Sequence, residues 1–397
     1  MANEIEVLIV DDSALMRNLI GHMVDETPGL IVADKAINGL FALQKIPRVN
    51  PDVIVLDLEM PQMNGIEFLK ERKKQNIDIP VVILSSIAEK GAAITMEALS
   101  LGASDFIQKP GGSISTDLNS VRDSLVEKLL SYGSLYRLSH NKKVLSGEEY
   151  KAEKAAAQKE EKAEIAAGTR SKSIDISALL HGFSATPASP ATHPQQIRKP
   201  GPTQIIAIGI STGGPDALRV VFSKLDADLK VPIVVVQHMP QGFTAEFAMS
   251  LDRICPLKVT EAQEGDKILP GHILIAQGNK HLEVEKKLGL GDAIGIAHLS
   301  DAPLVSGHRP SANVLFASVA MQFKNNALGV IMTGMGNDGA QQLGTIYKEG
   351  GMTLGQDEKS AIVYGMPKVA WEMGHVMEQV SLDNMARRIC DVAKTMR

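Results

Sequence analysis

Short aliphatic runs alternate with helical patterns in two separate blocks of the chain. In residues 5–130, the runs at 7–10, 53–56 and 81–84 are nearly continuous, which is typical of strands that helices bury on both faces. Residues 203–380 repeat this alternation on a larger scale, with runs at 205–208, 231–237 and 327–333. Alternation of strands with helices predicts a parallel sheet covered on both sides. We therefore expect two α/β domains, each built on a doubly wound parallel sheet.

The segment between the two blocks has a different composition. Residues 148–167 are rich in Ala, Glu and Lys, which favour helix, but their mixed charges leave little apolar face to bury. Residues 186–202 contain five of the 19 prolines, a composition typical of a semi-rigid linker. Apolar residues with helical spacing lie between these segments, at Ile176, Leu179, Leu180 and Phe183. That pattern fits a short docking helix and a chance cluster in a tether equally well.

These patterns predict a division of the chain into three parts. We expect a first domain over residues 1–132, a partly helical or disordered linker over 133–202, and a second domain over 203–397. The amphipathic pattern at 382–396 predicts a helix that caps the second domain.

Composition narrows the class of protein. The 397 residues carry a formal net charge of −5 without long blocks of like charge, so no nucleic-acid partner is expected. The two cysteines lie far apart, which favours a reducing compartment. No apolar stretch approaches the length of a membrane span, and the first residues do not have the pattern of a signal peptide. We expect a cytoplasmic protein that is not embedded in a membrane.

Polar residues follow the predicted strands of the first block, where a parallel sheet binds its ligands. They are Asp11, Asp12, Asp57, Ser85 and Lys109. Three carboxylates at one edge repel one another unless a hard cation lies among them, and Mg²⁺ takes such oxygen ligands. Asp57 stands alone at a central strand end, so it is the candidate nucleophile toward a phosphoryl group. Any one of these residues alone could be an ordinary helix cap or surface group, but the set is much less common by chance.

The same residues lie in motifs that resemble a known family. VDDS at 10–13, LDLEMPQMNG at 56–65, LSS at 84–86 and KP at 109–110 are similar to the receiver domain of bacterial two-component response regulators, over residues 5–130. The resemblance implies a flavodoxin-like fold, Mg²⁺ bound by Asp11, Asp12 and Asp57, and phosphorylation of Asp57 by a histidine kinase. It also implies that Ser85 and Lys109 contact the phosphoryl group, and Phe106 matches the family's aromatic switch position.

A second constellation follows three predicted strands of the second block. Ser211, His238 and Asp338 come after the runs at 205–208, 231–237 and 327–333. A serine, a histidine and an aspartate at one sheet edge can serve as nucleophile, base and orienting acid. Gly209 and Gly213 give Ser211 the G-x-S-x-G spacing of a nucleophile elbow, although the order Ser, His, Asp differs from that of α/β-hydrolases.

Other interpretations of these residues compete with the triad. The glycine-rich turn at 209–214 also suits an anion-binding loop, but it contains neither G-x-G-x-x-G nor a P-loop lysine. Ser211 could be an ordinary helix N-cap. His272 precedes its predicted strand and so lies at the opposite edge, whereas His308 remains an alternative base or a substrate contact.

Five segments surround this triad in collinear order: GISTGG, QHMPQGFT, PGHILIAQGNKH, HRPSANVLF and TGMGNDGA. Over about 203–395 they resemble the catalytic domain of chemotaxis protein-glutamate methylesterases. The resemblance implies a Rossmann-like three-layer fold, with Ser211 as nucleophile, His238 as base and Asp338 as the acid that orients it. It places Thr212 and Met335 at the oxyanion site and requires no cofactor there. Asn313 stands where the family pattern predicts an acidic residue.

Together the two resemblances imply a phosphorylation-controlled hydrolase of chemotaxis adaptation. It would demethylate γ-glutamyl methyl esters in the cytoplasmic helices of methyl-accepting chemoreceptors and deamidate receptor glutamines, and a chemotaxis histidine kinase would be the phosphodonor. Two alternatives remain open from the sequence. One is a phosphorylation-controlled binding protein without enzymatic activity, and the other is a serine esterase that acts on another substrate.

Overall fold

The computed structural model describes residues 4–85, 89–109, 115–142, 195–287 and 289–395. The chain divides into two compact units, Met1–Thr186 and Pro187–Arg397. This division falls inside the predicted linker, so the expected limits of the linker at 133 and 202 stay a prediction. The helical patterns predicted at 148–167 and 176–183 lie outside the described residues.

The first unit is a five-stranded parallel sheet with the order β2-β1-β3-β4-β5. In chain order, its elements are β1 (Ile5–Val10), α1 (Ala14–Asp25), β2 (Leu30–Ala36), α2 (Gly39–Val49), β3 (Val53–Asp57), α3 (Gly65–Lys74), β4 (Val81–Ser85), α4 (Glu89–Ser100), β5 (Asp105–Gln108) and α5 (Ser115–Ser139). The aliphatic residues of β1, β3 and β4 are buried, as the continuous runs predict.

Local sequence explains where the helices of this unit begin. The Ser13 hydroxyl accepts a hydrogen bond from the Met16 backbone N–H and so caps α1. Asn64 and Glu67 form a capping box at the start of α3. The strand ends that carry Asp11 and Asp57 therefore lead into well-defined turns.

The second unit has a seven-stranded parallel sheet with the order β15-β14-β13-β6-β7-β10-β8. In chain order, its elements are β6 (Ile205–Ile210), α6 (Gly214–Phe222), β7 (Ile233–Gln237), α7 (Phe243–Asp252), β8 (Lys258–Glu261), β9 (Lys267–Ile268), β10 (His272–Ile275), β11 (His281–Lys286), β12 (Gly295–Ser300), α8 (Ala312–Phe323), β13 (Ala327–Ile331), α9 (Ala340–Lys348), β14 (Met352–Gln356), α10 (Met366–Glu372), β15 (Glu378–Val380) and α11 (Leu382–Thr395). The doubly wound parallel sheet predicted for this unit is thus present.

A smaller antiparallel sheet, β11-β12-β9, accompanies the large one and was not predicted from the sequence. Strand order reverses at β6, because the chain continues from β6 to β7 on one side and returns later to β13 on the other. Ligands of open α/β sheets bind outside the carboxyl ends of the strands at such a reversal.

Helix α8 packs against the middle of the second sheet. Its residues Leu315, Phe316 and Phe323 are buried together with Ile205 and Val234 in one hydrophobic core. This packing fixes the N-terminus of α8 close to the carboxyl ends of β6 and β13. Within the described ranges, no helix combines the length and the apolar character needed to cross a bilayer.

Candidate functional site

The second sheet brings the three predicted triad residues together at one edge. Ser211 directly follows β6, His238 directly follows β7, and Asp338 lies in the loop between β13 and α9. The Nδ1 atom of His238 lies 3.0 Å from the Ser211 Oγ, and its Nε2 lies 2.9 Å from Asp338 Oδ2. These distances join the hydroxyl, the imidazole and the carboxylate in one continuous hydrogen-bonded series.

The imidazole presents its nitrogens in a defined order. An ionised carboxylate only accepts hydrogen bonds, so Nε2 must carry the proton that faces Asp338. In the neutral ring Nδ1 is then the acceptor, and it faces the Ser211 hydroxyl. The arrangement leaves His238 with the free lone pair that a general base needs, directed at the hydroxyl proton.

A tight turn holds Ser211 at the start of helix α6. Gly213 has a φ of 78°, a left-handed conformation that glycine adopts without strain, and the Gly214 N–H donates to the Ser211 carbonyl at 2.8 Å. The Ser211 N–H in turn donates to the Thr333 carbonyl at 2.9 Å. The serine backbone is thus fixed to both neighbouring elements.

Gln237 is a buried residue of this site that the sequence analysis missed. Its Nε2 donates to the Ser211 carbonyl at 3.0 Å and to the His238 carbonyl at 3.1 Å. One carboxamide therefore joins the backbones of the nucleophile and base candidates. Its position next to His238 in the motif QHM was visible in the sequence, but its inward orientation depends on how β7 packs beside β6.

Asp338 is buried and accepts hydrogen bonds on both carboxylate oxygens. The Ser311 hydroxyl donates to Oδ1 at 2.6 Å, the Ala312 N–H donates to Oδ2 at 2.6 Å, and the Asn313 N–H donates to Oδ1 at 3.2 Å. Burial raises the pKa of this carboxyl, but hydrogen bonds from His238, Ser311 and Ala312 outweigh it and hold the pKa below its ordinary value. The Asp338 carboxyl is therefore ionised over the pH range in which imidazoles titrate.

His308, the alternative base, lies against His238 rather than in its place. The two imidazole rings are stacked with their centroids 3.8 Å apart and an angle of 14° between the planes. Burial, together with the neighbouring His238, lowers the pKa of His308 to about 4. His308 is therefore neutral near pH 7, and it is His238 that lies within hydrogen-bonding distance of Ser211.

The two candidate oxyanion residues lie in the turn after β6 and in the loop after β13. Thr212 is buried, and its carbonyl accepts from the Thr333 hydroxyl at 2.9 Å. Met335 is half-buried in the loop after β13. The neighbouring Gly334 lies against the serine, because a Cβ at this position would come within 2.7 Å of the Ser211 Cβ. This loop therefore packs directly against the nucleophile candidate.

The first sheet brings the acidic residues of the first constellation together at its own carboxyl edge. Asp11, Asp12 and Asp57 each offer a carboxylate oxygen, and these three atoms lie within 4.8 Å of one another. Lys109 Nζ lies 2.8 Å from Asp57 Oδ2 and 3.3 Å from Asp11 Oδ2. Asp11 Oδ2 is buried, and apart from this long ion pair with Lys109 it has no hydrogen bond within the described residues. A donor set of carboxylate oxygens, one of them satisfied only by that ion pair, fits a hard cation such as Mg²⁺.

The pKa shifts of Asp57 and Lys109 reflect the burial and the charges of this cluster. Burial raises the pKa of Asp57, and the neighbouring Asp11 adds to that effect, while Lys109 partly opposes it. Burial acts to lower the pKa of Lys109, but Asp57 and Asp11 outweigh it and the pKa is raised. An additional cation at this edge would stabilise the ionised carboxylates.

Ser85 and Phe106 lie on the neighbouring strands β4 and β5 of the same sheet. Ser85 ends β4 and its Oγ lies 2.5 Å from the Thr95 Oγ1 and 3.4 Å from the Gly91 carbonyl, both on α4. Phe106 is buried on β5. The serine hydroxyl is thus hydrogen-bonded toward the helix side, and its expected contact with a phosphoryl group stays a prediction.

Comparison with known proteins matches both halves of the chain. A family described as CheB methylesterase matches residues 206–389, and the response regulator receiver domain matches residues 7–115. A protein-glutamate methylesterase/protein-glutamine glutaminase of Treponema denticola is 57% identical over 394 residues, which cover 97% of each chain. Its namesake from Treponema pallidum is 50% identical and covers 98% of this chain and 96% of its own. The crystal structure of the Thermotoga maritima CheB methylesterase catalytic domain is 32% identical and covers 48% of this chain and 98% of its own, with a TM-score of 0.46.

Proposed function

Because the chain belongs to the CheB methylesterase family and carries a response regulator receiver domain, we propose that it hydrolyses γ-glutamyl methyl esters of chemoreceptors at Ser211. Its relatives are named for both a methylesterase and a glutaminase, and we assign both reactions to this one site. The observation that carries the proposal is the hydrogen-bonded series from Ser211 through His238 to Asp338.

The geometry supports acyl transfer through the serine. The Ser211 Oγ attacks the ester carbonyl carbon while Nδ1 of His238 takes the hydroxyl proton. The C–O bond to the methoxy group then breaks, and His238 returns the proton so that methanol leaves. Water, deprotonated by the same imidazole, attacks the acyl-enzyme and releases the glutamate carboxylate and Ser211. With a glutamine substrate, ammonia leaves in place of methanol.

Charge develops at two points in this reaction, and the site has groups for both. The carbonyl oxygen becomes negative, and we assign its stabilisation to backbone N–H groups at Thr212 and Met335. His238 becomes an imidazolium, and the ionised Asp338 stabilises it and keeps its ring oriented. The esterase site requires no cofactor for these steps.

The first domain supplies control of this activity. Asp57 is the proposed phosphate acceptor and a chemotaxis histidine kinase is the proposed donor. Asp11, Asp12 and Asp57 would hold Mg²⁺, which when bound neutralises charge on the phosphoryl oxygens. Lys109 lies beside the same carboxylate and would bind a further phosphoryl oxygen, while Ser85 and Phe106 would respond to the modification.

The proposed substrate assigns the protein to chemotaxis adaptation. Hydrolysis of receptor methyl esters restores carboxylates in the signalling helices, which is a step of chemotaxis adaptation. The helices that carry these esters are cytoplasmic, so we assign the enzyme to the cytoplasm. We assign the receiver to residues 1–132, the linker to 133–202 and the catalytic domain to 203–397.

Methanol release from methylated receptor helices tests this function. The wild-type chain should release methanol from the helices, and the Ser211→Ala variant should fall to background. If Ser211→Ala keeps full activity, the nucleophile assignment is wrong. Hydrolysis of a generic ester without release from receptor helices would favour an esterase on another substrate, and absence of both would favour a binding protein.

A further inference from the structure

The first turn of helix α8 lies directly against the Asp338 carboxylate. We propose that Ser311, at the N-terminus of α8, is a positioning residue for hydrolysis, because its buried hydroxyl fixes the rotation of the Asp338 carboxylate so that Oδ2 faces the His238 ring. This inference rests on the triad of the proposed function. It adds a residue whose effect on the reaction passes through Asp338.

The two oxygens of Asp338 have different partners. Oδ1 accepts from the Ser311 hydroxyl at 2.6 Å and from the Asn313 N–H at 3.2 Å, and both donors belong to the start of α8. Oδ2 accepts from the Ala312 N–H at 2.6 Å and from His238 Nε2 at 2.9 Å. Rotation about the last bond of an aspartate has broad minima, so contacts must fix it. Ser311 provides one of the two short contacts.

The direction of the Ser311 hydrogen bond follows from the charge of its partner. An ionised carboxylate has no proton to donate, so the Ser311 hydroxyl must donate to Asp338. The Ser311 Oγ also accepts a hydrogen bond from the Asn313 N–H at 3.2 Å, and this bond caps α8. Ser311 is fully buried, so water does not compete for this hydroxyl. The positive end of the helix dipole also favours a carboxylate at this place.

Close packing brings α8 to the triad. A Cβ on Gly209, two residues before Ser211, would come within 2.7 Å of the Ala312 Cβ. The absence of a side chain at Gly209 thus allows the start of α8 to approach β6. The nucleophile elbow and the helix that orients the acid are therefore in contact through one glycine.

An ordinary capping role is the competing explanation for Ser311. A Ser311→Gly substitution distinguishes capping from positioning of Asp338. Glycine is accepted at N-caps with little loss of stability, but it has no hydroxyl to donate to Asp338. Ser318 gives a matched control on the same helix. It is a buried serine whose hydroxyl donates to the Leu315 carbonyl and accepts from the Val284 N–H.

The test measures methanol release by the full chain carrying Ser311→Gly, Ser311→Ala or Ser318→Ala. Loss of carboxylate orientation should lower kcat by about 10²-fold in both Ser311 variants, with KM within about twofold of wild type. Ser318→Ala should retain the wild-type kcat even if its melting temperature falls. A wild-type kcat for Ser311→Gly, or a loss that appears in KM alone, would overturn the proposal.

A spectroscopic measurement separates this proposal from the proposed function. In the Ser211→Ala background, the NMR signal of the His238 Nε2 proton should move or broaden on Ser311→Gly, because its bond to Asp338 loosens. It should not change on Ser318→Ala. An unchanged signal in Ser311→Gly contradicts the positioning role whether or not Ser211 is the nucleophile. Conversely, full methanol release by Ser211→Ala contradicts the proposed function and leaves this signal as the readout of the Ser311 contact.

Discussion

Two buried aspartates, Asp57 in the receiver and Asp338 in the catalytic domain, lie at the carboxyl edges of parallel sheets and have opposite acid–base properties. Their exposed fractions are similar, 3% for Asp57 and 1% for Asp338. Burial is the largest influence on both and acts to raise both pKa values. The net shift is nevertheless upward for Asp57 and downward for Asp338.

The neighbours of each carboxylate explain the difference. Asp338 accepts hydrogen bonds from His238, from the Ser311 hydroxyl and from two backbone N–H groups at the start of α8. Asp57 has an ion pair with Lys109 and a backbone hydrogen bond from Glu59 at 3.3 Å, but it also lies beside Asp11. The donors, rather than the depth of burial, therefore decide whether such an aspartate is a stable anion or requires a cation.

The two shifts have opposite consequences for stability as pH changes. The pKa of folded Asp338 is depressed, so its stabilisation is present above the unfolded pKa and is lost as pH falls through the folded value. The pKa of folded Asp57 is raised, so its contribution is present below the unfolded pKa and is lost as pH rises through the folded value. Near neutral pH, where Asp57 is ionised, a cation added at the receiver cluster should therefore stabilise that domain.

The largest expected effect comes from removing the charge of Asp338. In Asp338→Asn the amide can donate to the ring, which favours the tautomer with the proton on the nitrogen facing Ser211. We expect kcat for methanol release to fall about 10⁴-fold. Asp252→Asn, which removes a surface ion pair with Lys258, is the control and should stay near the wild-type rate. A loss below tenfold in Asp338→Asn would show that this carboxylate does not orient the base.

The next effect concerns the proposed control of methanol release by phosphorylation of Asp57. Phosphorylation should raise the methanol-release rate by a factor in the range of about 5 to 150 that is usual for coupled sites. Asp57→Asn should abolish this increase, since it has no carboxylate to accept the phosphoryl group. The matched control is Asp34→Asn, which removes ion pairs with Lys45 and Arg48 on the same domain and should keep the response. A full response in Asp57→Asn would place the acceptor elsewhere.

Added Mg²⁺ should have a smaller effect, a rise in the melting temperature of the receiver domain that the catalytic domain should not show. Binding at 100 times the dissociation constant stabilises a folded protein by about 2.7 kcal/mol. We expect calorimetry near pH 7 to show a higher melting temperature for the receiver transition, with the gain reduced in Asp12→Asn, whose side chain is exposed. The gain should shrink at acidic pH as Asp57 takes up a proton. An equal gain in Asp12→Asn would exclude this cluster as the binding site.

The smallest expected effect tests the ring beside the triad. Because the pKa of His308 is about 4, its ring is neutral at pH 6 to 8 and should act through stacking. An aromatic pair contributes about 0.5–1.5 kcal/mol, so His308→Ala should lose about 2- to 10-fold in kcat, while His308→Phe should stay closer to wild type. If both variants lose activity equally over that pH range, the ring nitrogens of His308 contact the substrate instead.

The sequence predicted the two parallel sheets and the residues at their carboxyl ends, because strand runs and strand-end residues are local features. It was sufficient to place Ser211, His238 and Asp338 at one edge. The hydrogen bonds of Ser311 and Gln237 were not predicted, since they depend on how α8 and β7 pack against strands that are distant in sequence. The antiparallel sheet β11-β12-β9 was missed because its short strands lie inside a block with a parallel pattern. The structure also showed that His308 stacks on His238, which no spacing rule indicates.

The contrast between the two aspartates can be measured directly by carbon-detected NMR titration of the side-chain carboxyl groups in the Mg²⁺-free protein. Difference spectra with Asp57→Asn and Asp338→Asn assign the two signals. We expect a pKa above the ordinary 3.8 for Asp57 and below 3.8 for Asp338. Titration of both groups at the same pH, or in the reverse order, would contradict this expectation.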